Sequence, residues 1–228
     1  MSEQQGLETA HLGQRIRASR TRSGLSVREL ARRVSVSPSH VSQVERGMAS
    51  FSVPTLYAVV EQLDISMDDL FDRLGPIATA EGDENQASSP DNGSGRPGSA
   101  RGHLDDKGIV QRREDRPTIN LSAGLRWQRL TAKPDDDTEF LEVHYEPGGG
   151  SAGGDPFIRH TGYEYGVVIE GRLTVQIGFD ETVLETGDTA AFDSSIPHRY
   201  WNAGLVPARA IWFVRDQADG SASDHFQS

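Results

Sequence analysis

The sequence contains no cysteine, which excludes disulfides and thiolate metal ligation; any metal has to be held by histidine and carboxylate. It has no apolar run approaching the ~20 residues a membrane helix needs. Its first ten residues, MSEQQGLETA, lack the apolar segment of a secretory signal. A cytoplasmic protein without a membrane partner is the expectation. Apolar residues are scarce too: 35% of 228 residues is low for one compact globule, so part of the chain is expected to stay unpacked. The length leaves room for two modest domains. Lysine occurs twice against 21 arginines, a bias to which we attach no function.

What is present is unevenly placed. A net charge of −11, taken as a sum, argues against nucleic acid. From Arg15 to Arg46, however, eight arginines stand against only Glu29 and Glu45, whereas Glu61 to Asp72 holds five acids and no base. Positive charge gathered in one short stretch is the footprint expected of a duplex-binding surface. The acidic stretch is expected to face away from that duplex.

Three zones follow from pattern. Residues 7–74 read as helical, with Leu12, Ile16 and Leu25, Leu30, Val34 at helical spacing. Ser26 and Glu29 predict a capping box. Ser37 as N-cap, Pro38 after it and Gly47 beyond the end bound a helix over SPSHVSQVERG. PTLYAVVEQL and SMDDLFDRL add two more, about five helices in all. Residues 75–116 are rich in Gly, Ser, Pro, Ala and acids without period and predict a flexible, disordered linker. Residues 117–216 read as β. FLEVHYEPGGG alternates, LTVQIGF places Leu173, Val175, Ile177 and Phe179 on one face, ARAIWFV is a buried strand, and turns recur at short spacing. Such a pattern predicts a barrel or sandwich. The tail, 217–228, is polar and expected to fray.

The stretch LSVRELARRVSVSPSHVSQVERGMASFSVPTLYAVVEQLDISMDDLF resembles the helix-turn-helix domain of the Xre or phage-repressor type. A short helix of small and polar residues fits the major groove. In SPSHVSQVERG, Val41 and Val44 are expected to pack inward, leaving Ser39, His40, Ser42 and Gln43 outward. Gln43 is the candidate for a bidentate contact to adenine. The resemblance places Ser39 and Gln43 on the DNA-facing side, and Ser37 completes that set. Arg28, Arg32 and Arg46 are expected at phosphates. Arg20 follows Leu12 and Ile16 at four-residue steps, so it lies on the apolar stripe and needs a partner; the resemblance pairs it with Glu45. Proteins of this type usually dimerise on two half-sites, so a homodimer on a double-stranded operator is expected, joined through the C-terminal part.

GDPFIRHTGYEYGVVIEG and GDTAAFDSSIPHRYWN resemble the two cupin motifs, which implies a double-stranded β-helix, or jelly-roll barrel. His160, Glu164 and Gly171 match the second histidine, the glutamate and the last glycine of the first motif, with Ile158 where its first histidine would stand. Gly187, His198 and Asn202 match the second motif, with Asp193 and Ser195 replacing a proline and a glycine. His160, Glu164 and His198 remain as ligands. Two imidazoles and a carboxylate suit Fe(II), and Zn, Mn or Ni would accept the same set. Equally, the three form a polar cluster that bonds internally or to an organic ligand. On a strand, the even separation of His160 and Glu164 puts both on one face. Tyr200 shares parity with His198 and, with Tyr145, joins the ligand set; Tyr163 and Tyr165 have the outward parity. His144 reads as a surface strand residue, and Trp127, Trp201 and Trp212 as core.

Together the two resemblances imply a transcription regulator whose barrel binds a small-molecule effector of unknown identity, a metal, or both. A few proteins of this two-part build are Fe-dependent oxidases, such as an epoxidase of a hydroxyalkyl phosphonate. That alternative wants several cationic or phenolic donors, and only Arg159 offers itself.

Overall fold

The computed structural model describes residues 3–71, 101–135, 137–151 and 157–215, with side chains from Ala10 onward. Most of the expected linker, 75–100, and all of the expected tail lie outside the described residues. The N-terminal head contains α1 (Glu3–Arg22), α2 (Val27–Arg33), α3 (Pro38–Glu45) and α4 (Val53–Leu63), followed by a 3₁₀ turn at Asp68–Leu70. That turn is what the described residues show of the fifth expected helix, whose end lies outside them.

Each of α2, α3 and α4 begins on a serine hydroxyl that accepts a backbone N–H three residues on: Ser26 from Glu29, Ser37 from His40, Ser52 from Thr55. α3 stops at Gly47, whose φ of +71° supplies the left-handed step while its N–H reaches the Val44 carbonyl at 2.9 Å. The capping box expected of Ser26 and Glu29 forms only its serine half. The Glu29 carboxylate turns instead to Arg32 and Arg33, at 2.7 and 2.9 Å, because a guanidinium is a stronger donor than an amide.

Leu12, Ile16, Leu30, Val41, Val44, Phe51 and Leu56 fill the head's core. α1 approaches α3 so closely at Gly13 that a Cβ there would lie 2.1 Å from the Val44 carbonyl oxygen. Gly13→Ala is therefore expected to destabilise the head by about 1–3 kcal/mol, seen as a lowered midpoint of the helical circular-dichroism transition. An unchanged midpoint would contradict this packing.

Residues 101–116, assigned to the linker on composition, carry α5 (His103–Asp106) and a 3₁₀ turn at Arg113–Asp115. Charge holds them in place of an apolar core: Arg112 reaches Asp105 with two nitrogens at 2.6 and 2.9 Å, and Asp105 also accepts the Gly102 N–H. A search for apolar periodicity misses that kind of order.

The C-terminal part is a β barrel of two antiparallel sheets. The larger runs β1 (Thr118–Leu121), β2 (Leu125–Arg129), β3 (Thr138–Tyr145), β9 (Ala208–Arg215), β4 (Tyr163–Glu170), β7 (Thr189–Asp193); the smaller runs β6 (Asp180–Glu185), β5 (Arg172–Ile177), β8 (His198–Trp201). Along β9, Ala208, Ala210, Trp212 and Val214 point inward by strict alternation. Trp212 finds room because Gly166 faces it across β4; a Cβ there would come within 2.3 Å of the indole. Phe179, expected on the inner face with Leu173 and Val175, is instead fully exposed. β5 ends at Ile177, and the turn through Gly178 (φ +60°) breaks the parity.

The head sits directly on the barrel. The Ser122 N–H donates to the Phe51 carbonyl at 3.2 Å, buried Asp68 lies 3.7 Å from buried Arg129, and the Asp135 N–H donates to Asp68 at 2.8 Å. Linker composition gives no sign of this contact.

Candidate ligand site and DNA-facing surface

The barrel brings His160, Glu164 and His198 together. Their ligand-type atoms all lie within 4.8 Å of one another. Glu164 is 4% exposed on β4 and His198 is fully buried on β8. His160 arrives by a different route from the one expected. It precedes β4, and Gly162 (φ +110°) turns the chain before the strand begins. Its Nε2 nonetheless lies 2.8 Å from Glu164 Oε1. A turn, not strand parity, makes the pair face each other.

The second nitrogen of each ring fixes its tautomer. His198 Nδ1 lies 2.9 Å from the Ile196 carbonyl and His160 Nδ1 lies 3.0 Å from the Thr161 carbonyl. A carbonyl only accepts, so both Nδ1 atoms carry hydrogen, and in the neutral rings both Nε2 atoms present lone pairs. His198 Nε2 has no hydrogen-bond partner of acceptable angle although Glu164 Oε1 is 3.0 Å away. Two lone pairs and a carboxylate oxygen thus converge on one point, a set that either a proton or a divalent cation completes. Histidines oriented by backbone carbonyls are the usual form of metal-ligating imidazole, so the residues fit a metal.

Electrostatics fit the same picture. Burial acts to raise the Glu164 carboxyl, but the His160 hydrogen bond and the close approach of both imidazoles outweigh it and hold the group below the usual carboxylate range. Burial acts to lower His160, and the Glu164 hydrogen bond and charge leave it raised. Tyr200 donates to Glu164 Oε2 at 2.6 Å; burial and then the adjacent carboxylate push its phenol well up. Buried Tyr145 accepts from the Trp212 indole at 3.2 Å and lines the same chamber. Ile158, standing in place of the missing histidine, is buried and lines it as well.

Tyr165 lies on the outer face beside Phe213, with Tyr163 against it. Trp127 and Trp212 are core; Trp201 is half-buried with the Arg199 guanidinium over its ring. His144 is half-buried, not a plain surface residue: Glu142, itself buried and held by Arg116 and Arg209, lies 2.9 Å away.

One wall of the chamber was not foreseen. Val53 and Tyr57, from α4 of the head, line it. The signal was present: α4 is apolar along Val53, Tyr57 and Val60 as well as along Leu56, Val59 and Leu63, wider than its own domain's core requires. Beyond Tyr57 opens a cleft of about 980 Å³ between head and barrel, lined by Glu61, Asp64, Asp68, Asp135, Asp137 and Glu139 among others. The acidic stretch therefore faces the barrel in part.

Arg28 on α2, Ser39 and Gln43 on α3, and Arg46 just past its end are exposed. Ser37 is exposed but its hydroxyl caps α3. His40, expected outward, is half-buried with its ring edge-on to Phe51 at 5.3 Å. Ser42 is half-buried and its carbonyl accepts from Arg46. Arg20 reaches Glu45 through Nε and Nη2 at 2.5 and 3.0 Å and the Leu25 carbonyl through Nη1 at 2.6 Å. No described helix is long and apolar enough to cross a membrane.

A helical head presenting a short polar helix, joined to a double-sheet barrel with an inward polar triad, is the build of a DNA-binding protein with a cupin domain. Residues 16–70 match the family model described as helix-turn-helix, and residues 141–214 the one described as cupin domain. The HTH-type transcriptional regulator PuuR of Escherichia coli strain K12 is 24% identical over 200 residues, which cover 87% of this chain and 91% of that protein. An uncharacterized transcriptional regulator in the ATPase CF(0) region of Rhodospirillum rubrum is 38% identical over 65 residues, 28% of this chain and 60% of its own. The crystal structure of an HTH_3 family transcriptional regulator from Vibrio cholerae shares the fold, with a TM-score of 0.55, 18% identity, and coverage of 94% of this chain and 99% of that one. The chain thus joins an Xre-type helix-turn-helix domain to a C-terminal cupin domain, the build of the transcriptional regulators that it matches along most of its length.

Proposed function

We propose that this DNA-binding regulator reads an operator through α3 and responds to a small molecule, a divalent metal, or both, held in the cupin chamber. The observation that carries the sensing half is the convergence of two carbonyl-oriented imidazoles on a buried carboxylate. His160, Glu164 and His198 are the residues that would hold the metal. A divalent ion there would supply Lewis acidity and coordination positions for an oxygen or nitrogen of the effector. Tyr200 orients Glu164, and Tyr145 and Ile158 shape the space beside it. Elemental analysis of the purified chain, with mass spectrometry of whatever co-purifies, tests this half. A chain that never holds metal or a small molecule above trace would refute it.

For the DNA half, Gln43 is assigned a base contact, Arg28 and Arg46 contacts to phosphate, and Ser39 a place on the facing side. His40 and Ser42 flank that contact, and Ser37 holds the helix end. The working form is a homodimer on two half-sites, in the cytoplasm. Gln43→Ala is expected to weaken binding to the selected operator by about 1–3 kcal/mol while leaving non-specific binding unchanged. Arg46→Ala should weaken both and lower the salt slope by about one. Equal operator affinity of the Gln43 variant and the parent would remove that residue's role. The two-histidine, one-carboxylate set also favours a second reading, a non-haem iron oxidase. Stoichiometric iron with substrate-dependent oxygen consumption would establish that reading over the regulatory one.

A further inference from the structure

Four residues line both the chamber and the cleft, Tyr57, Glu139, Ile158 and Val214, and of these Tyr57 alone comes from the other domain. Tyr57 stands on α4 of the DNA-binding head, yet its ring lies parallel to the His160 imidazole, with 2° between the planes and 4.7 Å between centroids. It meets Trp127 at 6.3 Å and 64°, and its hydroxyl donates to Glu139 Oε2 at 3.3 Å. With the head seated, the chamber keeps about 40 Å³ of free space. That is room for an ion or a water molecule and for no organic molecule. On the far side of the same two rings the cleft widens to about 980 Å³. The cleft already touches His160; an organic ring that is to lie over that imidazole and reach Glu164 and His198 from the Tyr57 side takes the place of the Tyr57 ring.

We propose that Tyr57 is a tethered stand-in for the effector, and that a flat, ring-bearing small molecule and the docked head compete for one slot. This deepens the reading that the chamber takes a small molecule and needs no metal. The slot sets the ligand's chemistry. The His160 face and the Trp127 edge accept a planar ring, and the Glu139 carboxylate at the rim accepts a hydrogen bond from its hydroxyl or amine. A ligand in the seat lifts α4, and α3 travels with it because Leu56, Val41 and Val44 share one core. The Phe51–Ser122 and Asp68–Arg129 contacts oppose the lift, so the head is loosened in proportion to ligand affinity. Reciprocally, whatever holds the head away from the barrel favours the ligand by the same factor.

4-Methylphenol, the tyrosine side chain without its backbone, is the probe. Because the chain has no cysteine, spin labels on R33C in α2 and F179C in the exposed barrel turn report the head-to-barrel distance in the full-length protein. Tyr57→Ala is expected to bind 4-methylphenol at least about tenfold more tightly than the parent, whose seat is filled by its own ring. The parent's distance distribution should gain a longer component as 4-methylphenol is added, and Tyr57→Ala should show that component without it. Tyr57→Leu, which keeps apolar bulk should the alanine variant fail to fold, must also bind more tightly than the parent. Equal affinity in all forms, or no binding by any, overturns the shared seat. Tight binding by the variants with a distance that never changes overturns the competition while leaving a ligand-binding chamber standing.

Discussion

Arg20→Ala is expected to melt the DNA-binding head while sparing the barrel. Arg20 lies four residues beyond Ile16 on the buried stripe of α1, and the side chains of the Arg20–Glu45 pair are 12% and 6% exposed. One guanidinium joins α1, the turn after it and α3, through Glu45 and the Leu25 carbonyl. Without it the Glu45 carboxylate is left in a closed site with no counter-charge, which costs about 3–5 kcal/mol. A small domain has roughly 5–15 kcal/mol in all, so the midpoint should fall by at least ~10 °C. The described helices of any length belong to the head, so the far-ultraviolet helical signal follows its melting. The three tryptophans belong to the barrel, at 127, 201 and 212, so near-ultraviolet dichroism follows the rest. Operator binding should disappear with the helical signal. Arg20→Met with Glu45→Leu should restore most of the stability, since apolar residues of similar volume replace buried ion pairs at little cost. A single variant as stable as the parent would show that the pair only decorates the interface.

How far this molecule could be read from its sequence depended on how local each determinant is. The caps at Ser26 and Ser37 and the stop at Gly47 are one-turn interactions, and those helices formed where the pattern placed them. That Arg20 needs a partner was legible because it stands on an apolar stripe, and the family resemblance, not the pattern, pointed to Glu45. The inward tyrosine at 200 followed from parity within a single strand. The misreadings arose where a rule was carried past the element that justifies it. Parity was applied to Phe179 beyond the end of β5 and to His160 before the start of β4, and in both places a positive-φ glycine redirects the chain. His40 was counted as outward because a helix turn exposes it, but Phe51, arriving from the next loop, covers its edge. Tyr57 was missed altogether, because its partners, Trp127, Glu139 and His160, come from the other domain.

That last miss bears on mechanism. A slack tether alone gives a sensor no grip on a reader, because a ligand shifts only an equilibrium whose two states it binds differently. Here the chamber wall is itself part of the reader, so filling the chamber and seating the head are coupled by shared space. Typical couplings of this kind amount to about 1–3 kcal/mol. One aromatic stack with a hydrogen bond is of that order.

Glu164→Ala is expected to have the largest effect on the site. The carboxylate collects His160 at 2.8 Å, His198 at 3.0 Å and the Tyr200 hydroxyl at 2.6 Å. Its loss leaves a buried hydroxyl unpaired, at a cost of about 1–3 kcal/mol to the barrel, and removes the only anion among the three ligands. Metal retained through gel filtration should fall to trace, with affinity reduced by more than about a hundredfold. Glu164→Gln keeps the shape and an acceptor for Tyr200 but not the charge, so it should restore the barrel's stability and little of the affinity. The pH dependence separates charge from shape. Metal requires unprotonated imidazole, so affinity falls as pH falls. In the metal-free chain Glu164 holds the His160 pKa above its ordinary 6.5, so the parent's loss of metal should begin on the alkaline side of an ordinary histidine. In Glu164→Gln that midpoint should move to lower pH. The metal-free pair also sets a stability window. The Glu164 contribution fades as pH falls through its depressed pKa, and the His160 contribution fades as pH rises through its raised one. A Glu164→Ala chain that kept metal as tightly as the parent, with the same pH midpoint, would remove the triad as a binding site.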